Sequence, residues 1–190
     1  MNYIDTIYTD TLEVKQSKFI AYLTPYADFE KILMKLKQEY PKARHFVVAY
    51  RYLNKYEQIV EYSSDDGEPK GTSGKPSLFV LQGANLINTA VIVVRYFGGT
   101  KLGPGGLVRA YSDAINLSLQ KAKLLEYKKE VEVDIRFEYS NIRMVEYECE
   151  ELSIEIVQKS FDSQSLYKLR ASKEGMDLFF KKMSRLVEVV

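Results

Sequence analysis

The chain has 190 residues, 46% hydrophobic and 28% charged, with a formal net charge of +1; these are globular proportions and exclude a disordered or collagen-like chain. The longest strongly apolar run, 90–94, is far short of the ~18 residues of a membrane span, and Met1-Asn2-Tyr3-Ile4-Asp5 has no basic stretch leading into an apolar one; a cytoplasmic protein with no membrane partner is expected. One cysteine, Cys149, and one histidine, His45, exclude an internal disulfide, a thiolate cluster and a multi-histidine metal site.

Residues 12–14 and 18–23 read as a hairpin. Pro25 ends it, and Asp28 is placed to cap a helix running to about Tyr40, with Phe29, Ile32, Leu33 and Leu36 on one face. The β-branched and aromatic run 46–52 predicts a strand, paired with 58–62 across Asn54-Lys55. Pro76 suits the first turn of a short helix through Gln82, capped by a preceding Ser or Thr. The continuous apolar run 90–94 predicts a strand buried on both faces. A helix follows from near Gly105 to 121–123, with Leu107, Val108, Tyr111, Ala114, Ile115 and Leu119 at helical spacing. Beyond Leu125 come an alternating strand (131–137), a helix capped by Ser140 or Asn141, strands at 154–157 and 166–169, a helix at 176–183 and a strand at 186–190. That order is β-α-β-β-α-β, the ferredoxin-like plan. The predicted domains are therefore 1–125 and 126–190.

Charge divides unevenly between them. Residues 1–125 carry 16 basic and 12 acidic side chains, and 126–190 carry 11 and 14, so the first part is the better match to an anion. Nine of the ten glycines lie between Gly67 and Gly106, which concentrates unusual backbone, and with it function, in one stretch. Within it, 95–109 follows a buried strand, opens a helix and contains Arg95, Lys101 and Arg109 with no acid. Converging amide N–H groups and a helix N-terminus suit a phosphate, although the pattern is neither a P-loop nor a dinucleotide fingerprint. The plainer alternative is a tight turn with solvated cations. The second stretch, 63–76, holds Asp65, Asp66, Glu68 and Lys70; its carboxylates suit Mg²⁺ or a general base, or simply a polar capping loop. A composite site would require the two stretches to be neighbours in space. His45 has no triad partner and reads as structural. So does Cys149, whose acidic neighbours raise a thiol pKa. Tyr50, Tyr52, Tyr56 and Tyr62, beside Arg44, Arg51 and Lys55, suit either base stacking or sheet packing; Tyr96 and Phe97 are the better stacking candidates.

Asp65-Asp66-Gly67-Glu68-Pro69-Lys70-Gly71-Thr72, Arg95-Tyr96-Phe97-Gly98-Gly99-Thr100-Lys101-Leu102-Gly103 and Gly105-Gly106-Leu107-Val108-Arg109-Ala110-Tyr111 resemble the motifs of the YigZ/IMPACT family, in particular its bacterial two-domain members. Pro104 and Ser73 depart from the more usual small residue and Ala. The resemblance implies an α+β protein. Residues 1–125 would take the α/β domain shared by GHMP kinases, ribonuclease PH and domain 2 of a small-subunit ribosomal protein, and 126–190 a ferredoxin-like domain similar to domains of elongation factor G. Relatives of these folds bind RNA, nucleotides or the ribosome. The eukaryotic member regulates translation by restraining a starvation-sensing kinase through its activator, using an N-terminal domain without counterpart here, so that partner is not carried over. No catalytic residue is transferred.

The expected function is a non-enzymatic, translation-associated regulator that binds RNA, the ribosome or a translation factor without a cofactor. Arg95, Tyr96, Phe97, Gly98, Gly99, Lys101, Gly105, Gly106 and Arg109 are the expected contacts. One alternative is a phosphate-ester or nucleotide-binding enzyme using Asp65, Asp66 and Glu68 with Mg²⁺; the serine pair of a GHMP phosphate loop is missing from 104–109. Another is a protein-interaction module docking through the acidic tail. The sequence carries no reading of oligomeric state.

Overall fold

The computed structural model describes all 190 residues; the chain is a mixed α/β protein of two units, Met1–Tyr127 and Lys128–Val190. In the first, β1 (Asn2–Tyr3), β2 (Tyr8–Val14), β3 (Ser17–Pro25), α1 (Phe29–Glu39), β4 (His45–Leu53), β5 (Ile59–Ser64), α2 (Gly74–Gly83), β6 (Thr89–Tyr96), α3 (Gly103–Lys121) and β7 (Leu125–Glu126) follow in order. Five strands form an antiparallel sheet in the order β2-β3-β6-β4-β5. The apolar run of β6 is central, and every residue from Thr89 to Arg95 is buried. Two-residue alternation sends Val91 and Val93 to one face, against Leu81 of α2 and Leu107, Tyr111 and Ile115 of α3. It sends Ile92 and Val94 to the other, against Phe29 and Leu36 of α1. Helices on both faces explain why this strand is hydrophobic throughout although all its neighbours are antiparallel.

Small residues set how closely α3 approaches. Ala110, Ala114 and Ser118 share one face at four-residue spacing, and Ser118 Oγ donates to the Ala21 carbonyl at 3.1 Å. The helix starts at Gly103, two residues before the sequence expectation. Pro104 fits within its first turn because its missing N–H has no helical acceptor there. The expected caps differ too. Asp28 and Asn141 each end a one-turn 3₁₀ segment in an α-like conformation and cap nothing with their side chains; an N-cap oxygen reaches the next amides from extended backbone. Ser172 has that backbone, and its Oγ accepts from Gly175 N at 3.1 Å to cap the final helix of the chain.

The second unit consists of β8 (Glu130–Phe137), α4 (Ile142–Glu151), β9 (Glu155–Phe161), β10 (Ser165–Ser172), α5 (Lys173–Met183) and β11 (Val187–Val189). Its antiparallel sheet has the order β11-β8-β10-β9. Ile135, Phe137, Tyr167 and Leu169 pack against Val145 and Cys149 of α4 and Met176 and Phe179 of α5. Burial first, and Glu146 second, push the Cys149 thiol up to about 11, so packing outweighs the acidic neighbours in keeping it inert. No helix is long and apolar enough to cross a membrane.

The loop after β6 crosses the β2–β3 turn at close range. A Cβ on Gly98 would lie 2.0 Å from the backbone carbon of Gln16, and the Gly98 amide donates to Ser17 Oγ at 3.0 Å. Gly105, inside α3, has nothing within 4 Å of a Cβ. In urea denaturation, Gly98→Ala is expected to destabilise by about 1–3 kcal/mol, as overpacking does. Gly105→Ala is expected to stabilise by up to ~1 kcal/mol through helix propensity.

Candidate functional site

Three strands and a loop meet at the end of the sheet. Register aligns the strands: His45 of β4 and Phe19 of β3 are the two cross-strand neighbours of Arg95 on β6. The loop is 65–73. Asp65 sets its shape, because its carboxylate accepts from the amides of Gly71 (2.7 Å), Ser73 (3.1 Å) and Gly74 (2.7 Å) and from Ser73 Oγ (2.8 Å). Burial alone would raise the Asp65 pKa; the donors of Gly71, Gly74 and Ser73 outweigh it and hold the carboxyl below its ordinary value. Asp65 thus does the capping at the start of α2 that the sequence suggests for a Ser or Thr before Pro76; the hydroxyl of Ser73, at the N-cap, is a donor here. Asp66 fastens the loop to β4: Oδ2 accepts from Phe46 N at 2.6 Å, and its carbonyl oxygen accepts from His45 Nδ1 at 2.7 Å. A carbonyl only accepts, so the proton of a neutral His45 sits on Nδ1 and the Nε2 lone pair is left open. Nε2 lies 3.9 Å from Glu68 Oε1.

The fastened loop delivers Glu68 to Arg95. The two form a buried ion pair through Nη1 and Oε1, and Tyr111 of α3 donates its hydroxyl to the same Oε1 at 2.8 Å. Burial and then the Glu68 charge push the Tyr111 pKa up, so it remains a donor. Arg95 is 5% exposed, and its Nε has no hydrogen-bond partner. The guanidinium carbon lies 5.3 Å from the Phe19 ring centre and 5.9 Å from that of Phe97, which Arg44 also approaches at 6.0 Å.

Above this layer is a cleft of about 420 Å³. Arg44 and His45 line one side, Glu68 and Pro69 another, and Arg95, Phe97, Lys101, Leu102, Gly103, Pro104 and Leu107 the rest. The two glycine-rich stretches of the sequence therefore share one cavity. Three cations face it against one carboxylate. Leu102 at the N-cap makes no side-chain cap, and the first turn of α3 holds no acid; helical geometry leaves the amides of Leu102, Gly103 and Gly105 without helical acceptors. This arrangement can hold an anion.

Of the residues singled out in the sequence, Arg95, Phe97, Lys101 and Glu68 line the cleft, and Gly105 and Gly106 lie in the first turn of α3 beside it. Gly99 and Gly103, with φ of +87° and +72°, shape the connection between β6 and α3. Gly98 spends its amide on Ser17. Tyr96 points to the opposite face of the sheet, where it meets Tyr40 at 6.4 Å. Lys70 and Arg109 are exposed and outside the lining. The tyrosine row packs on itself, with Tyr50 stacked on Tyr62 and Tyr52 on Tyr26. Arg51 turns away from it to bind Glu61 and the Leu86 carbonyl. Sequence reasoning missed Tyr111, set Arg44 beside the tyrosine row rather than at this cleft, and took His45 as structural; only the β4–β6 pairing and the α3 packing place them here. No group of three or more His, Cys, Asp or Glu residues is disposed to hold a metal ion.

A model of the Impact N-terminal domain matches residues 15–119. The chain is 36% identical over 178 residues to an IMPACT family member of Haemophilus influenzae, covering 90% of this chain and 85% of that one. It is 36% identical over 137 residues to the IMPACT family member YigZ of Escherichia coli, covering 70% and 67%. Among solved structures, the crystal structure of a hypothetical protein matches 100% of this chain and 95% of its own, with a TM-score of 0.69 and 26% identity.

Asp65→Asn is expected to destabilise the fold by about 1–3 kcal/mol at pH 7, the value of hydrogen bonds to a charged acceptor. A depressed folded-state pKa stabilises fully above the ordinary value of 3.8, and the contribution is lost as pH falls through the folded-state value. Denaturant unfolding over a pH series should therefore show the gap between wild type and variant closing below pH 3.8. A gap constant from pH 7 to pH 2 would contradict the assignment.

Proposed function

The chain belongs to the IMPACT family, and on that footing we propose that it is a non-enzymatic binding protein of the translation apparatus that holds a phosphate group of RNA in the cleft of its first unit. The observation that carries the reading is the cation excess of the cleft, where Arg44, Arg95 and Lys101 face the single carboxylate of Glu68. Lys101 and Arg44 add mobile charge at the rim, the uncapped turn of α3 adds amide donors, and Phe97 and Arg44 offer planar groups for a base. The translational setting comes from the family resemblance. So does the reading of the first unit as the α/β domain of GHMP kinases and ribosomal proteins. The βαββαβ order and the β11-β8-β10-β9 sheet support the ferredoxin-like reading of the second.

The enzymatic alternative has less support. Asp65, Asp66 and Glu68 already accept from backbone amides, from Ser73, from Arg95 and from Tyr111, which leaves few oxygens to coordinate Mg²⁺. Docking through the acidic second unit also has less support. Many of its charges pair within the unit: Arg170 with Glu132 and Glu155, Arg136 with Glu188, Lys159 with Glu146, and Lys182 with Glu148.

Fluorescence anisotropy with labelled single-stranded RNA at several salt concentrations tests the proposal. Each phosphate neutralised contributes about 0.7 to the slope of log K against log salt for a single strand. Lys101→Ala is expected to weaken binding to all RNA sequences alike and to flatten the slope by about that amount. An unchanged slope would remove Lys101 as a phosphate contact, and absence of binding at low salt would remove the RNA reading.

A further inference from the structure

We infer that the phosphate held in the cleft is a terminal monoester carried by a ribonucleoside, either a free nucleotide or a phosphorylated RNA end; the inference rests on the phosphate reading above and names the form of the ligand. Charge comes first. Arg44, Arg95 and Lys101 face Glu68 alone, an excess of two positive charges. An internal phosphodiester brings one negative charge, whereas a terminal phosphate brings about −1.5 to −2 at pH 7 and three acceptor oxygens. The donors suit the larger number: Arg44 and Lys101 bring several N–H groups to the cleft, and the start of α3, which also lines it, has no acidic residue in its first turn.

Enclosure is the second observation. About 420 Å³ lies in the range of small-ligand sites. It accommodates one nucleotide unit rather than a run of them. The cations that would continue a backbone track, Lys70 and Arg109, lie outside the lining. Third, the remaining groups suit a nucleoside. All three contacts of Glu68 with Arg95, Tyr111 and His45 fall on Oε1, and Oε2 takes part in none of them. A carboxylate oxygen of this kind accepts from a ribose hydroxyl. Phe97 is 41% exposed and has Arg44 against it; aromatic rings and guanidinium planes are the surfaces on which unpaired bases stack.

The test uses the full chain with three short RNAs of one sequence, labelled internally: 5′-phosphorylated, 3′-phosphorylated and hydroxyl at both ends. Adenosine monophosphate, adenosine and inorganic phosphate serve as competitors in anisotropy and as titrants in calorimetry. A phosphorylated end should bind about tenfold tighter than the hydroxyl-ended RNA, the value of one additional charge-assisted contact. The monophosphate should compete better than phosphate or adenosine alone. Phe97→Leu, an exposed position outside the buried core, should reduce the advantage of the monophosphate over inorganic phosphate. Equal affinity for all three RNAs overturns the terminal assignment and leaves RNA binding standing. Binding of the monophosphate without binding of any RNA supports the assignment to a free nucleotide and overturns the RNA reading. Inorganic phosphate competing as well as the monophosphate overturns the nucleoside part. Silence from all six probes overturns both.

Discussion

A buried arginine and a buried glutamate, with side chains 6% and 3% exposed, meet where a central strand, a polar loop and the start of a long helix converge. Taking two such charges out of water costs several kcal/mol for each ion, and the cost is recovered only when geometry and auxiliary hydrogen bonds are good. Arg95 and Glu68 have one such bond from Tyr111 and aromatic rings around the guanidinium. The dependence runs backwards from there. Glu68 arrives in register because Asp66 is tied to β4, and the loop after Glu68 has its shape because Asp65 gathers three amides and a hydroxyl. Tyr111 arrives because small residues let α3 lie close to the sheet. The cleft is the solvent-facing side of this one ion-pair arrangement, so its shape and its chemistry have the same source.

A carboxylate placed inside a cationic site also restrains it. With Glu68 fixed by two donors, Arg95 does not collapse into the cavity, and an incoming anion meets a guanidinium that is already oriented. Preorganisation of that kind reduces the ordering cost of binding. It also selects against ligands that would need Oε1, since that atom is fully engaged.

The elements were largely legible because their patterns are local. The alternation of 131–137, the apolar run of β6 and the helical spacing of α3 each follow from a few neighbouring side chains, and so does Pro25 as a breaker. The candidate site was legible only in part. Glycines, cations and acids marked 65–75 and 95–109, yet their proximity depends on strand order, which no local pattern encodes. His45 and Tyr111 carry no signal of their own; each enters through long-range pairing or packing. Tyr96 shows the opposite failure. Beside Phe97 in sequence, it belongs to the other face because strand residues alternate. The misplaced caps at Asp28 and Asn141 have a related cause, since residue type favours a cap but backbone conformation decides it.

Asn2 and Tyr3 pair with Leu125 and Glu126, the Met1 carbonyl accepts from Tyr127, and Asn2 exchanges hydrogen bonds with Asn85 and Ile87. Ile4, just beyond, is a fully buried core residue. During synthesis these residues emerge ahead of the rest of their own unit and wait for its last strand. The first unit therefore cannot close its final seam until more than a hundred further residues have been added. The sheet around β6 has to collapse without its N-terminal strap, and the strap then records, at a single place, that the whole unit has emerged.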